Sequence, residues 1–180
     1  MARPLAMKGK QMEAPDTDAD WERRNQNLWA AIDDHGESEF IALIDALAAE
    51  LPNGSAIGLF ERAAARDSTG HPDLAVPLYQ GAIFAGLSGE RRRRAIIQMS
   101  SSLRNLGQAQ KAVSLLTAEK DSGNDALDGA VCAFLALALA DIGREREALA
   151  IALGALAFYL PRYNRSLARY AHELTETPAP

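Results

Sequence analysis

Three observations predict an all-α fold built from stacked helical hairpins. The 180 residues are 48% hydrophobic but only 6% aromatic, and alanine and leucine supply most of the apolar mass. Both favour helix, whereas strands draw on valine, isoleucine and aromatic rings. Glycines recur at Gly70, Gly107 and Gly143, 37 and 36 residues apart. Around each glycine the same pattern returns: a small residue seven positions earlier (Ala63, Ser100, Ala136) and an alanine five positions later (Ala75, Ala112, Ala148). A fixed period of roughly 20–50 residues marks a repeat architecture, in which one unit cannot bury its apolar face alone and stacks on the next.

The elements follow in order. Residues 1–19 are polar, carry Pro4 and Pro15 and lack periodicity, so they read as a flexible tail before a single repeat domain over 20–175. Residues 176–180 read as a frayed end. Asp18 or Asp20 can cap a first helix over 21–34, where Trp21, Leu28, Trp29 and Ile32 form an apolar stripe. After "HGES", Phe40, Ile41, Leu43, Ile44, Leu47 and Leu51 predict a second helix, stopped by Pro52-Asn53-Gly54. Gly36 precedes Gly70 by 34 residues, which makes this opening hairpin a degenerate first repeat, with Trp29 where the small residue belongs.

Ser55 caps a helix over 56–68, and Gly70 turns the chain into a second one that opens at Pro72, where the missing N–H costs nothing. Pro77 removes a hydrogen bond inside that helix, so a kink is expected near Asp73–Ala75. Ser88 is positioned to cap 90–105, and Gly107 leads into 108–120. In the loop that follows, Asp125 and Asp128 have the spacing of a capping pair, ahead of helices over 126–141 and 145–159. Pro161 ends the last of these. A final helix over 162–175 puts Leu167, Tyr170, Ala171 and Leu174 on one face, suited to covering the open edge of the array.

These residues resemble a tetratricopeptide repeat (TPR) protein. Ala63, Gly70, Ala75, Tyr79 and Ala82 match the family's pattern, as do Ala136, Gly143, Ala148 and Ala155, while Ser100, Gly107 and Ala112 match its first half. The small side chains let paired helices nest. The units depart from the pattern in length, and Leu59, Ile96 and Cys132 replace the bulky residue that often opens one. The wording "DSTGH…AVPLY" and "ERRRR…LRNLG" is most similar to a bacterial group of small TPR proteins, a likeness that covers about 40–172 and names no activity. The resemblance implies a right-handed superhelix of about three repeats, flanked by the degenerate hairpin and the capping helix. It also implies that the first helix of each repeat lines a concave groove.

Composition excludes several function classes. A net charge of −5 argues against nucleic-acid binding by bulk electrostatics. One cysteine, Cys132, leaves no internal disulfide and reads as a buried small hydrophobe in a reducing cytoplasm. The apolar runs 130–140 and 148–160 are too short to span a bilayer, so no membrane role is expected. His35, His71 and His172 have no second histidine or cysteine at ligand spacing, and no phosphate loop, nucleophile elbow or HExxH occurs. No cofactor, metal site or catalytic set is therefore expected. The run Arg91–Arg94 spreads around the first turn of a helix, where the dipole disfavours cations by about 0.3–1 kcal/mol each. It reads either as a solvated collar offset by Glu90 and nearby acids, or as a site for an anionic partner.

The candidate site is the groove the resemblance implies. Its middle helix offers Arg94, Gln98, Ser101, Arg104 and Asn105, an unusually polar strip for a helix flanked by others. Asp67 stands on the preceding repeat, and Phe134 and Leu137 on the following one. That mixture suits a peptide or a partner helix, with directional contacts from the strip and apolar anchorage from Phe134 and Leu137. The peptide-carboxylate clamp known in the family needs lysine and asparagine on this face. Phe60, Ala64 and Ile97 stand at several of those places, so that ligand is not expected. Two other readings stay open. Phe134 and Leu137 could serve a homodimer, and Asp67 could pair with Arg104 while Gln98 and Asn105 satisfy loop carbonyls. A competing function is capture of an anionic metabolite, with Asp67, Arg104, Asn105, Arg162 and Arg165 converging on one pocket.

Overall fold

A computed structural model describes residues 19–123 and 125–176. The expected tail, the Asp18 cap and most of the expected frayed end lie outside these residues, while Ala19 already belongs to the first helix. The described chain is helical throughout, with no strand: α1 (Ala19–Ala30), α2 (Glu37–Ala48), α3 (Ala56–Ser68), α4 (Pro72–Phe84), α5 (Gly89–Asn105), α6 (Ala109–Ser122), α7 (Asp128–Asp141), α8 (Glu145–Tyr159) and α9 (Asn164–Glu173). The expected first helix is shorter than its apolar stripe: α1 ends at Ala30, and Ile32–Asp34 form a 3₁₀ turn.

Local chemistry accounts for most boundaries. Ser55 Oγ accepts from the Gly58 amide at 3.3 Å, the cap expected for α3. Gly70, Gly107 and Gly143 end the odd-numbered helices at φ between +72° and +84°, a conformation cheap only for glycine. Helix α4 runs unbroken through Pro77. Both Pro77 and Asp73 face solvent, so water can satisfy the carbonyl that Pro77 leaves free. Two expected caps are corrected. Ser88 precedes α5 in extended geometry but its hydroxyl makes no cap bond. Asp125 folds onto the Leu127 amide at 2.7 Å, whereas Asp128 turns away to Arg93.

Each hairpin packs on the next, and the two layers differ. Helix α3 touches α5, and α5 touches α7, while the even-numbered helices make no comparable contact with one another. Helices that approach one another lie on the inside of a bend, so α3, α5 and α7 form the concave layer. Helix α1 joins it, because Trp29 Nε1 donates to the Glu61 carboxylate of α3 at 2.8 Å. Trp29 also meets Phe40 edge-on at 5.1 Å, so the bulky residue in the small-residue position becomes a bridge between helices.

The main core runs between the layers from α3 to α8. Tyr79, Phe60, Leu116, Leu139 and Val131 are fully enclosed, and Ala63, Ala75 and Ala112 lie at the close approaches. A satellite core of Phe40, Ile44 and Ala65 holds the first hairpin against α3. Helix α9 packs against α8 and buries Ala171, while Leu167 and Leu174 are half-buried and Tyr170, expected on the covering face, is exposed.

Candidate functional site

The arginine run explains how α5 is positioned. Consecutive helical residues point about 100° apart, so four arginines in a row reach four directions. Arg91 bonds Glu22 of α1 at 2.6 Å and Glu61 of α3 at 3.3 Å. Arg92 reaches Glu119 of α6 at 3.0 Å. Arg93, only 5% exposed, pairs with Glu119, Asp125 and Asp128. Arg94 lies over the Phe60 ring, 5.4 Å from its centre. The run is neither a solvated collar nor an open anion site: Arg91, Arg92 and Arg93 are committed to acids of other elements rather than to Glu90, and only Arg94 stays exposed without an acid partner. Glu61 and Glu119 are 3% and 4% exposed, buried acids that these arginines, with Trp29 at Glu61, make tolerable. In sequence each is an unremarkable helical glutamate whose arginine partners stand 26 to 30 positions away.

The concave strip on α5 forms only in part. Arg94 and Asn105 are exposed, and Gln98, Ser101 and Arg104 are half-buried. The Gln98 Oε1 atom is buried without a hydrogen bond. Arg104 pairs with Asp141 of α7 at 2.6 Å, not with Asp67. Asp67 turns inward, accepting from Ser102 Oγ at 2.6 Å and from the Tyr79 hydroxyl at 3.3 Å. Burial pushes the Asp67 carboxyl above the usual carboxylate range, against the lowering pull of those two hydrogen bonds. Burial, and the Asp67 charge beside it, also push the Tyr79 phenol upward. Asp67 thus closes the junction of α3, α4 and α5 and presents little to a partner. On α7, Phe134 packs against the main core, while Leu137 stays 48% exposed beside exposed Ala133 and Ala140.

The residues of the metabolite reading do not converge. The Tyr159 hydroxyl rests on Gly129, so the end of α8 lies beside the start of α7. Arg162 follows three residues later, whereas Arg104 is held at Asp141, the last residue of α7. Fourteen residues of helix separate these ends, about 20 Å at 1.5 Å per residue.

Cys132 is half-buried rather than enclosed. It lines a cleft of about 600 Å³ whose wall carries Asp125 and Asp128 as well as Gly129, Ala155, Phe158 and Tyr159, and burial raises its thiol above the usual value. Among the described residues no cluster of histidine, cysteine or carboxylate side chains could hold a metal ion, and no helix is long and apolar enough to cross a membrane.

Comparison with known proteins agrees with this architecture. The chain is similar in structure to the Podosopora anserina putative kinesin light chain nearly identical TPR-like repeats, with a TM-score of 0.67 at 17% identity over 88% of each chain. At that identity the likeness speaks for the fold alone. No curated protein matches the sequence. The family model for the tetratrico peptide repeat matches residues 56–174, from the first turn of α3 to the end of α9, and on that match the chain belongs to the tetratricopeptide repeat family.

Proposed function

We propose that this chain is a non-catalytic protein-interaction module that receives a peptide or partner helix in the concave layer of α1, α3, α5 and α7. Repeats of this family generally mediate protein–protein interaction. The observation that carries the reading here is the inner face of α5 and α7. Exposed Asn105 and the Arg104–Asp141 pair sit beside Leu137, a half-exposed leucine with exposed alanines at its flanks. A polar edge next to an apolar line is what an amphipathic segment needs: directional bonds on one side and burial on the other. Arg94, Gln98 and Ser101 extend the polar edge toward the start of α5. Phe134 supports Leu137 from the core side, and Asp67 supports the floor.

Affinity capture from the source cell's lysate tests this, comparing the wild type with Arg104→Ala/Asn105→Ala and Leu137→Asp. A protein retained by the wild type and lost by both variants supports the groove, provided the variants keep their helical circular dichroism. Equal capture by all three proteins removes the groove from the account.

A further inference from the structure

Fourteen arginines lie in the described residues, and twelve have an acid, a carbonyl or an aromatic ring as partner. The two without one are Arg162 and Arg165, both exposed, the first in the turn from α8 into α9 and the second in the first turn of α9. No carboxylate occurs in the sequence between Glu147 and Glu173, in a chain of net charge −5. In space, Asp125 and Asp128 share a cleft with Phe158 and Tyr159 at the end of α8, and no ion pair joins them to Arg162 or Arg165. The stretch between Glu147 and Glu173 is also where the aromatic surface gathers: of five exposed aromatic side chains, Phe158, Tyr159, Tyr163 and Tyr170 lie here, with Phe158 86% and Tyr163 79% exposed.

Tyr163 adds a separate observation. Its φ of 65° makes it the only non-glycine at positive φ among the described residues, against six glycines. It stands at the N-cap of α9 and its side chain makes no cap bond. A glycine would make the same turn without strain. The fold therefore gains nothing visible from a tyrosine here, and its ring is displayed to solvent.

We propose that Arg162, Tyr163 and Arg165 form a second docking surface, distinct from the concave groove, for an acidic segment of a protein partner. The two guanidinium forks take carboxylates, and the exposed Tyr163 ring offers an apolar face to a neighbouring side chain. Tyrosine and arginine without lysine is the composition of protein interaction hot spots. A nucleic-acid strand carries one charge per nucleotide and calls for a longer basic track. An anionic membrane recruits clusters of about 4–8 basic residues. Two free guanidiniums match one or two carboxylates.

The test is fluorescence polarisation with a labelled peptide of about twelve residues that alternates glutamate with leucine, and with its glutamine-for-glutamate counterpart, read up to about 1 mM protein. The acidic peptide should bind saturably and the neutral one should not. Arg162→Ser/Arg165→Ser should weaken binding about tenfold or more. Tyr163→Gly should weaken it while raising Tm, a combination that a purely structural tyrosine would not give. Arg104→Ala/Asn105→Ala should bind the peptide like the wild type, which separates this surface from the groove. Absent binding, equal binding of the neutral peptide, or undiminished binding by Tyr163→Gly overturns the proposal. So does preferential binding of a thymidine oligonucleotide or of phosphatidylserine vesicles that is lost in the arginine variant.

Discussion

The guanidinium of Arg93 occupies the space that a β-carbon on Gly123 would need. Gly123 has ordinary extended geometry, with φ −102°, so glycine is required there for space and not for torsion. Gly123→Ala must push Arg93 away from Glu119, Asp125 and Asp128. With Glu119 4% exposed, the loss should be about 1–3 kcal/mol. Urea denaturation would show it as a lowered midpoint.

Asp67 makes stability depend on pH in an unusual direction. Its folded-state pKa is raised, chiefly by burial, so the folded chain holds the proton more firmly than the unfolded one. Stability from this group therefore falls as pH rises from the unfolded value, near 3.8, through the raised folded value, and the cost is complete above it. Relative to Asp67→Asn, the wild type should gain stability as pH is lowered across that window. Parallel denaturation curves at several pH values measure the difference, and a wild type that loses ground to the variant on acidification would contradict the assignment.

Ser100 is fully enclosed, and its Oγ atom has no hydrogen-bond partner. Its size serves the close helix approach while its hydroxyl does not. Ser100→Ala should stabilise the chain by about 1 kcal/mol by removing a buried unsatisfied group. Ser100→Leu should destabilise it by about 1–3 kcal/mol through overpacking. Thermal melts of the two variants should move in opposite directions.

Two glycines with different geometry should respond oppositely to alanine. Gly143 turns the chain at φ +77°, and alanine there should cost about 1 kcal/mol. Gly154 lies inside α8, exposed, with no atom within 4 Å of a β-carbon, and alanine there should stabilise by about 0.5–1 kcal/mol.

Features that rest on short-range chemistry were legible from the sequence. Gly70, Gly107 and Gly143 announce their turns because positive φ excludes most other residues, and Ala63, Ala75, Ala112 and Ser100 announce close approach by their size. Ser55 could be read as a cap because its bond spans three residues. Pairings across helices were not legible in the same way. Asp67 finds Ser102 and not Arg104, although the two candidates sit within one helical turn of each other. Which of them faces α3 depends on the rotation of α5, and Arg91 to Arg93 set that rotation by reaching acids as far as 69 positions away. The sequence reading therefore placed Asp67 on an open face, whereas it turns into the junction of α3, α4 and α5.

The bond from Arg91 to Glu22 also bears on how the array comes apart. A stack in which each hairpin touches only its neighbours can fray one hairpin at a time from either end. Here the first hairpin is tied past the second to the third, through a guanidinium that also serves Glu61. Peeling away α1 would strip a buried acid of α3 of one of its partners, so the loss at the edge reaches the middle. Amides of the first hairpin should exchange with solvent together with those of α3 and α5, as one cooperative unit. The α9 end carries no such tie in Arg162 or Arg165 and should open first.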